Sequence, residues 1–375
     1  MSVDYEIVRY EPEHRELVVE LQRELWSSDV ALNRRFLEWK YERNPCSRDA
    51  PIFLALHGGK AVGMRGFVGA RWEAGTPSQV FPVLLAGDTL VSEPHRNRGL
   101  VTRIMRRALA DLDATGAGHL LSIAPSRVNV FGLLTLGWKS IGMLRPVGRS
   151  TGLAAGRRRL RGAVARLPFL WRYRDARWLY ARDERRPFRH LDAARHDKSP
   201  IAIEDQPRPA AMSDLVQRLG HDGRIRQVRD ETYFRWRFEN PLAEFRFLYW
   251  EEAERLEGYL VLHRKVSNLG DWDRVKIADL QASRMAVRAA LLRSAIEQGR
   301  FSELVTWAAS LAGSEVALLH SHGFAPVDAH ETTRGCPCIL VRPVQDNAPG
   351  AEWLLGGRRL LHLNDWDVRL LDSMR

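Results

Sequence analysis

Residues 93–105 read EPHRNRGLVTRIM, and what stands on either side of them sets the reading of the whole chain. Upstream, VFPVLLAGDTLVS (80–92) is a long apolar run with the character of a mostly buried strand. Downstream, Val101, Ile104, Met105, Ala108, Leu109 and Leu112 recur at helical spacing. A strand that ends in a glycine turn and opens into a helix leaves several N–H groups without acceptors at the positive end of the helix dipole. Gly99 lets the backbone approach a phosphate with no Cβ in the way, and Arg96 and Arg98 add charge. Taken alone, the turn admits both an anion site and a solvated basic loop. It is not a Walker loop, because no Gly-Lys-Ser/Thr follows, and it lacks two of the three glycines of the dinucleotide fingerprint.

Working outward, PIFLALHGGKAVGMRGFVGARWEAG (51–75) predicts a hairpin with a Gly-Gly turn. GHLLSIAP (118–125) predicts a short strand, SRVNVFGLLTLG (126–137) a short helix and WKSIGMLRPVG (138–148) a final strand. The second half then repeats the first. FLEWKYERNP (36–45) matches YFRWRFENP (233–241), the stretch around Asp88 matches that around Asp279, and LGW around Gly137 matches HGF around Gly323. These matches keep their order with slowly drifting offsets, which indicates two structurally related domains. Trp39, Tyr41, Trp236 and Phe238 read as core anchors. The second copy has a helix after its Asp279 strand but no glycine turn, so a turn that merely shaped the fold should not be missing there.

Strand, Arg-x-x-Gly-x-Val turn, amphipathic helix, short strand, short helix and LGW before a last strand together resemble the GNAT superfamily of acyl-CoA-dependent N-acyltransferases. The resemblance implies an α/β (α+β) protein of two GNAT-like domains, each a mixed, mostly antiparallel twisted sheet flanked by helices. The expected division is 1–149 for the acyl-CoA-binding domain, 150–199 for an Arg-rich connector, 200–345 for a second domain lacking the pyrophosphate loop, and 346–375 for a tail. It further implies that Arg96, Asn97, Arg98, Gly99, Leu100, Val101 and Thr102 cradle the diphosphate of acetyl-CoA, with Val101 departing from the Gly or Ala usual in the family. Leu90 and Val91 are expected to pair with the pantetheine arm. Ser126 and Asn129 are candidates for contact with the coenzyme, and helix capping is the alternative for Ser126. Asp88 and Glu93 are the acidic candidates for taking a proton from the amine, beside a water chain. Asp88 also has a structural reading, since Asp279 matches it in the copy without the turn. The family's acid for the departing thiolate falls on Leu133, so that role is empty or filled elsewhere.

Charge narrows the partner. The net charge is +11, but residues 151–198 hold thirteen Arg and one Lys against five acidic residues, so nearly all of it is local. With Leu, Phe, Trp and Tyr interleaved, that connector reads as a solvated spacer, as an interfacial segment on an anionic membrane, or as an attractor for an anionic acceptor such as a glycan precursor. No recognised nucleic-acid-binding motif accompanies the charge. The paired layout also resembles FemAB-type aminoacyl transferases, whose charged tRNA would then meet the connector; a non-catalytic tandem scaffold is the third class. No secretory or membrane-spanning pattern is visible, which sets the expected compartment as cytoplasmic, with the membrane's inner face open through the connector. Cys46, Cys336 and Cys338 match no zinc ligand set and are read as structural, so no metal is expected. The function expected from this reading is transfer of an acetyl group to an amine, such as an amino sugar of a cell-surface polysaccharide precursor.

Overall fold

In the computed structural model, the residues described are 4–47, 49–112, 115–150, 191, 194–195, 200–266, 275–299, 301, 303–327, 336–345 and 353–373. The first half runs β1 (Glu6–Arg9), α1 (Arg15–Leu21), α2 (Val30–Leu37), β2 (Ile52–His57), β3 (Lys60–Ala74), β4 (Gln79–Val91), α3 (Leu100–Leu112), β5 (His119–Ile123), α4 (Arg127–Leu134), β6 (Lys139–Met143) and β7 (Pro146–Ser150). The second half runs β8 (Ala194–Arg195), β9 (Ile201–Glu204), α5 (Pro209–Leu219), β10 (Ile225–Gln227), α6 (Glu231–Phe238), β11 (Ala243–Glu252), β12 (Arg255–Lys265), β13 (Val275–Ala282), α7 (Met285–Gly299), β14 (Glu303–Trp307), α8 (Gly313–Ser321), β15 (Ala325–Pro326) and β16 (Cys338–Pro343). Three short pieces follow, β17 (Leu354–Leu355), β18 (Arg358–Arg359) and β19 (Trp366–Asp367). The connector lies almost wholly outside the described residues, and so does its expected membrane contact.

The predicted hairpin forms between β2 and β3, with Gly58 and Gly59 both at positive φ (56° and 74°) as a two-residue turn matched to strand twist requires. On α3 the periodic residues Ile104, Met105, Ala108 and Leu112 are buried against β2 to β4, together with Leu100. Val101 and Leu109 stay half-exposed at the margin of the stripe.

The two sheets do not follow the sequence division suggested by the repeat. WKSIGMLRPVG is not one strand: β6 ends at Met143, Arg145 takes φ +48°, and the chain crosses over, so that β7 pairs with β14 in the other sheet. In return β16 inserts between β5 and β6, antiparallel to both. Its Cys338–Val341 run is apolar on both faces and 4% exposed or less throughout, as a central strand demands. Each sheet is thus completed by a strand from the other stretch of sequence. The tail joins in as well, because β19 pairs with β10, which extends the first sheet at β3.

At the seam the sequence repeat becomes a physical pseudo-twofold. The indoles of Trp39 and Trp236 stack 5.1 Å apart, each donating its Nε1–H to the other's backbone carbonyl, at 2.6 and 2.8 Å. Relative to YFRWRFENP the first copy carries one extra residue, Arg43. It is absorbed as a π-helical turn over Glu38–Glu42, in which the Arg43 N–H reaches back to the Glu38 carbonyl at 2.8 Å. The largest apolar cluster takes residues from both halves around this pair.

Candidate functional site

Strands β4 and β5 are parallel neighbours over Val83–Leu85 and His119–Leu121 only. Beyond Leu85 they part, while β5 stays paired with β16 on its far side, so β4 presents an edge facing an opening. A bulge lies at this point. Asp88 and Thr89 together face Arg65, between the pairs Gly66–Gly87 and Met64–Leu90, and Asp88 adopts φ +42°. Leu90 and Val91, expected to meet an extended ligand, pair with Met64 and Gly63 on the inner side. The Val91 carbonyl accepts a bond from Arg96 Nε at 3.1 Å, so that acceptor is taken by the turn itself.

The chain then makes a short 3-10 turn over Glu93–His95 and enters the glycine loop. Asn97 and Gly99 both sit in the left-handed region, at φ 61° and 68°. A Cβ at Gly99 would meet nothing within 4 Å, so the glycine meets the backbone's conformational demand and leaves clear space in front of it. The first hydrogen bond of α3 runs from the Arg103 N–H to the Gly99 carbonyl at 3.1 Å. The N–H groups of Leu100, Val101 and Thr102 therefore have no partner within the helix. Arg96, Asn97, Arg98 and Gly99 are exposed, and Val101 and Thr102 are half-exposed. This gathers most of the residues expected to hold a diphosphate into one exposed, positively polarised turn.

Two residues that the pattern did not single out anchor this turn. Tyr5, 90 positions away, contacts His95 Nδ1 through its hydroxyl at 2.9 Å, and Arg103 Nη2 donates to the Tyr5 carbonyl at 2.7 Å. His57 completes a ring cluster with Tyr5 and His95, at 5.2 and 5.3 Å between centroids. No local periodicity announces such a contact.

The acidic candidates fare differently. Asp88 is 6% exposed, and its carboxylate accepts from Lys40 Nζ at 2.7 Å and from the Tyr41 hydroxyl at 2.8 Å. Lys40 lies within 5.1 to 5.5 Å of the rings of Phe36, Trp26 and Tyr41. Burial first, and then the Asp88 charge, hold the Tyr41 phenol well above its usual range. In the other half Asp279 repeats the arrangement: the Tyr259 hydroxyl donates to it at 2.8 Å, and Arg229 lies 3.7 Å away. A bulge falls beside Asp279 too. In both halves a buried carboxylate beside a bulge meets a cation and a phenol, from Lys40 and Tyr41 in the first and from Arg229 and Tyr259 in the second. Glu93 is exposed at the strand end. Ser126 caps α4, accepting from the Asn129 N–H at 3.4 Å. Leu133 is buried and carries no proton to give.

The matching place in the second half is filled. Strands β13 and β14 pair only at Val275–Leu304 and Lys276–Val305 before parting. Ser283 and Arg284 then lead into α7 with no glycine. Arg288 on α7 donates to the Leu280 carbonyl at 2.7 Å and pairs with Glu315 of α8 at 2.5 Å. From the tail, Arg369 approaches Glu315 at 3.7 Å and Leu370 closes the gap. What remains is a cavity of about 30 Å³ bordered by Asp279, Arg288, Glu315 and Arg369, room for little more than water.

The fold is the GNAT fold in a tandem arrangement. Among solved structures, a GCN5-related N-acetyltransferase from Anabaena variabilis superposes with a TM-score of 0.55 at 10% identity, over 91% of this chain and 73% of that one. A tandem GNAT protein from the clavulanic acid biosynthesis pathway gives 0.51 at 12% identity, over 92% of this chain and all of that one. A GCN5-related N-acetyltransferase from Kribbella flavida gives 0.52 at 12% identity, over 91% and 71%. No family pattern matches the sequence, and no curated protein matches it closely. Among the described residues no helix is long and apolar enough to cross a membrane.

Proposed function

We propose that the first half binds an acyl-CoA, acetyl-CoA being the specific donor, and transfers its acyl group to an amine. One observation carries this reading: a parted strand pair leads into a glycine turn whose helix-start N–H groups, Leu100 to Thr102, have no acceptor within the helix, and the second half, built on the same plan, has its opening narrowed to a small cavity lined by Arg288, Glu315 and Arg369. The turn from Arg96 to Thr102 would hold the diphosphate through backbone N–H groups and the helix dipole. The β4 edge near Leu90 would receive the amide-bearing arm as an added strand, which brings the thioester to the bulge. Holding an amine there, with a backbone N–H on the developing oxyanion, supplies most of the rate. Asp88 is committed to Lys40 and Tyr41, so the ammonium proton leaves through water or Glu93. For the acceptor, the basic connector favours an anionic molecule such as an amino-sugar precursor of surface polysaccharide.

Calorimetry with acetyl-CoA tests the reading. The wild type is expected to bind, Gly99→Asp to bind at least about tenfold more weakly because its carboxylate faces the diphosphate, and Gly99→Ala to lose less than Gly99→Asp because it adds no charge, although its Cβ enters the space in front of the turn at a φ that favours glycine. Absence of wild-type binding at millimolar coenzyme overturns the proposal; salt-sensitive tRNA binding in its place turns it toward aminoacyl transfer.

A further inference from the structure

Cys336 and Cys338 flank Pro337 at the start of β16, the strand exchanged into the first sheet. The Cys338 N–H donates to the Cys336 carbonyl at 2.8 Å, an i to i+2 bond that closes a tight turn centred on the proline, whose fixed φ suits it. Both cysteines pack on the same apolar cluster beneath α3, Cys338 buried and Cys336 half-buried at its margin. Burial first, and then the neighbouring Cys336 thiol, push the Cys338 thiol up to about 12. The backbone holds the pair in place. The Cys336 N–H donates to the Pro125 carbonyl at 2.7 Å, the Ala124 N–H to the Cys338 carbonyl at 2.9 Å and the Leu144 N–H to the Pro337 carbonyl at 2.6 Å.

We infer that Cys336 and Cys338 form a reversible dithiol–disulfide site, oxidised by exchange with low-molecular-weight disulfides. The Cys336 thiolate, the more accessible of the two, attacks one sulfur of the small disulfide; a protein–small-molecule mixed disulfide forms and one small thiol leaves. Cys338 then loses its proton and attacks the Cys336 sulfur, which expels the second small thiol and closes the intrachain bond. Two hydrogens leave the protein, and one small disulfide becomes two thiols. The turn supplies the proximity that a disulfide requires. A ring spanning one intervening residue is small, which places it among the labile bonds.

The test is incubation of the full chain with glutathione disulfide, then alkylation, trypsin digestion and mass spectrometry. The tryptic peptide 335–358 holds both cysteines, and Cys46 lies on another peptide as the internal control. The expected result is a peptide 335–358 lighter by two hydrogens, resistant to alkylation and restored by dithiothreitol, with Cys46 still alkylated. In Cys338→Ser the same treatment should leave a stable glutathione adduct on Cys336. In Cys336→Ser, whose replaced thiol is half-exposed, Cys338 should stay reduced. A persistent glutathione adduct on wild-type Cys336 overturns the inference, as does oxidation of all three cysteines at equal rates.

Discussion

Replacing Asp88 by asparagine separates the two roles open to this residue. The Lys40–Asp88 pair has its side chains 2% and 1% exposed at a separation of 2.7 Å. The replacement amide would still accept from Tyr41 but would leave the Lys40 ammonium buried without its counter-charge. Breaking a buried pair from one side costs about 3 to 5 kcal/mol. The rings of Trp26, Phe36 and Tyr41 surround Lys40 Nζ in the wild type already, so their attraction is common to both proteins and does not offset the loss. The expectation is a loss of about 3 to 5 kcal/mol, a large share of a total stability of about 5 to 15 kcal/mol. Adding Lys40→Met removes the orphaned charge and should recover stability to within about 1 kcal/mol of wild type. The assay is urea unfolding of the wild type, Asp88→Asn and the double variant, paired with thiol release from acetyl-CoA with an amine acceptor under conditions where each is folded. The double variant is expected to retain turnover per folded molecule. If it folds as stably as wild type and binds the coenzyme but turns over no acceptor, Asp88 is the base and the structural assignment is refuted. Asp279→Asn should cost less, because Arg229 lies 3.7 Å from that carboxylate and keeps Asp372 at 3.4 Å as a second partner.

Trp39→Ala and Trp236→Ala should each cost about 3 to 5 kcal/mol. In a double-mutant cycle they should couple by at least about 0.5 to 1.5 kcal/mol, the stacking contribution; additivity would mean that the stack contributes nothing. Burial raises the Asp372 carboxyl from 3.8 to about 6, so its folded form holds the proton more tightly than the unfolded chain does. Its stabilising contribution is complete below about pH 4 and is lost as pH rises through 6, a change of about 3 kcal/mol. The melting temperature of Asp372→Asn relative to wild type should therefore be higher at pH 7.5 than at pH 5, and an equal difference at both would contradict the sign. Gly66→Ala would drive a Cβ into the Tyr41 hydroxyl and loosen its bond to Asp88. A destabilisation of about 1 to 3 kcal/mol in urea is expected, and an unchanged midpoint would show that Tyr41 yields freely.

Much of this molecule was readable in the sequence because the physics behind it is local. Gly58, Gly59 and Gly99 mark backbone that must reach positive φ, and the spacing of Ile104, Met105, Ala108 and Leu112 is a helix's own period. The paired WKYERNP and WRFENP stretches announced two related halves, and their tryptophans were identifiable as core before their contact was visible. The turn from Arg96 to Thr102 was likewise legible, since a strand end, a glycine and a helix start lie within a few residues.

Other features exist only through pairings between distant residues. No sequence period reports that β7 leaves its sheet while β16 enters it, because a strand's alternation is the same whichever neighbour it joins. The commitment of Asp88 to Lys40 could not be read from spacing, since the two lie 48 positions apart and meet only when the first helical region packs on β4. The tail's part in closing the second opening depends on Glu315 meeting Arg369 across 54 positions. Sequence by itself determined the hairpin, the strand and helix on either side of the glycine turn, and the turn itself, each dictated by a few neighbouring residues. The tertiary structure alone decided which acidic group is engaged, which opening is filled and which strands complete each sheet, because burial and charge pairing are settled only when the two halves meet.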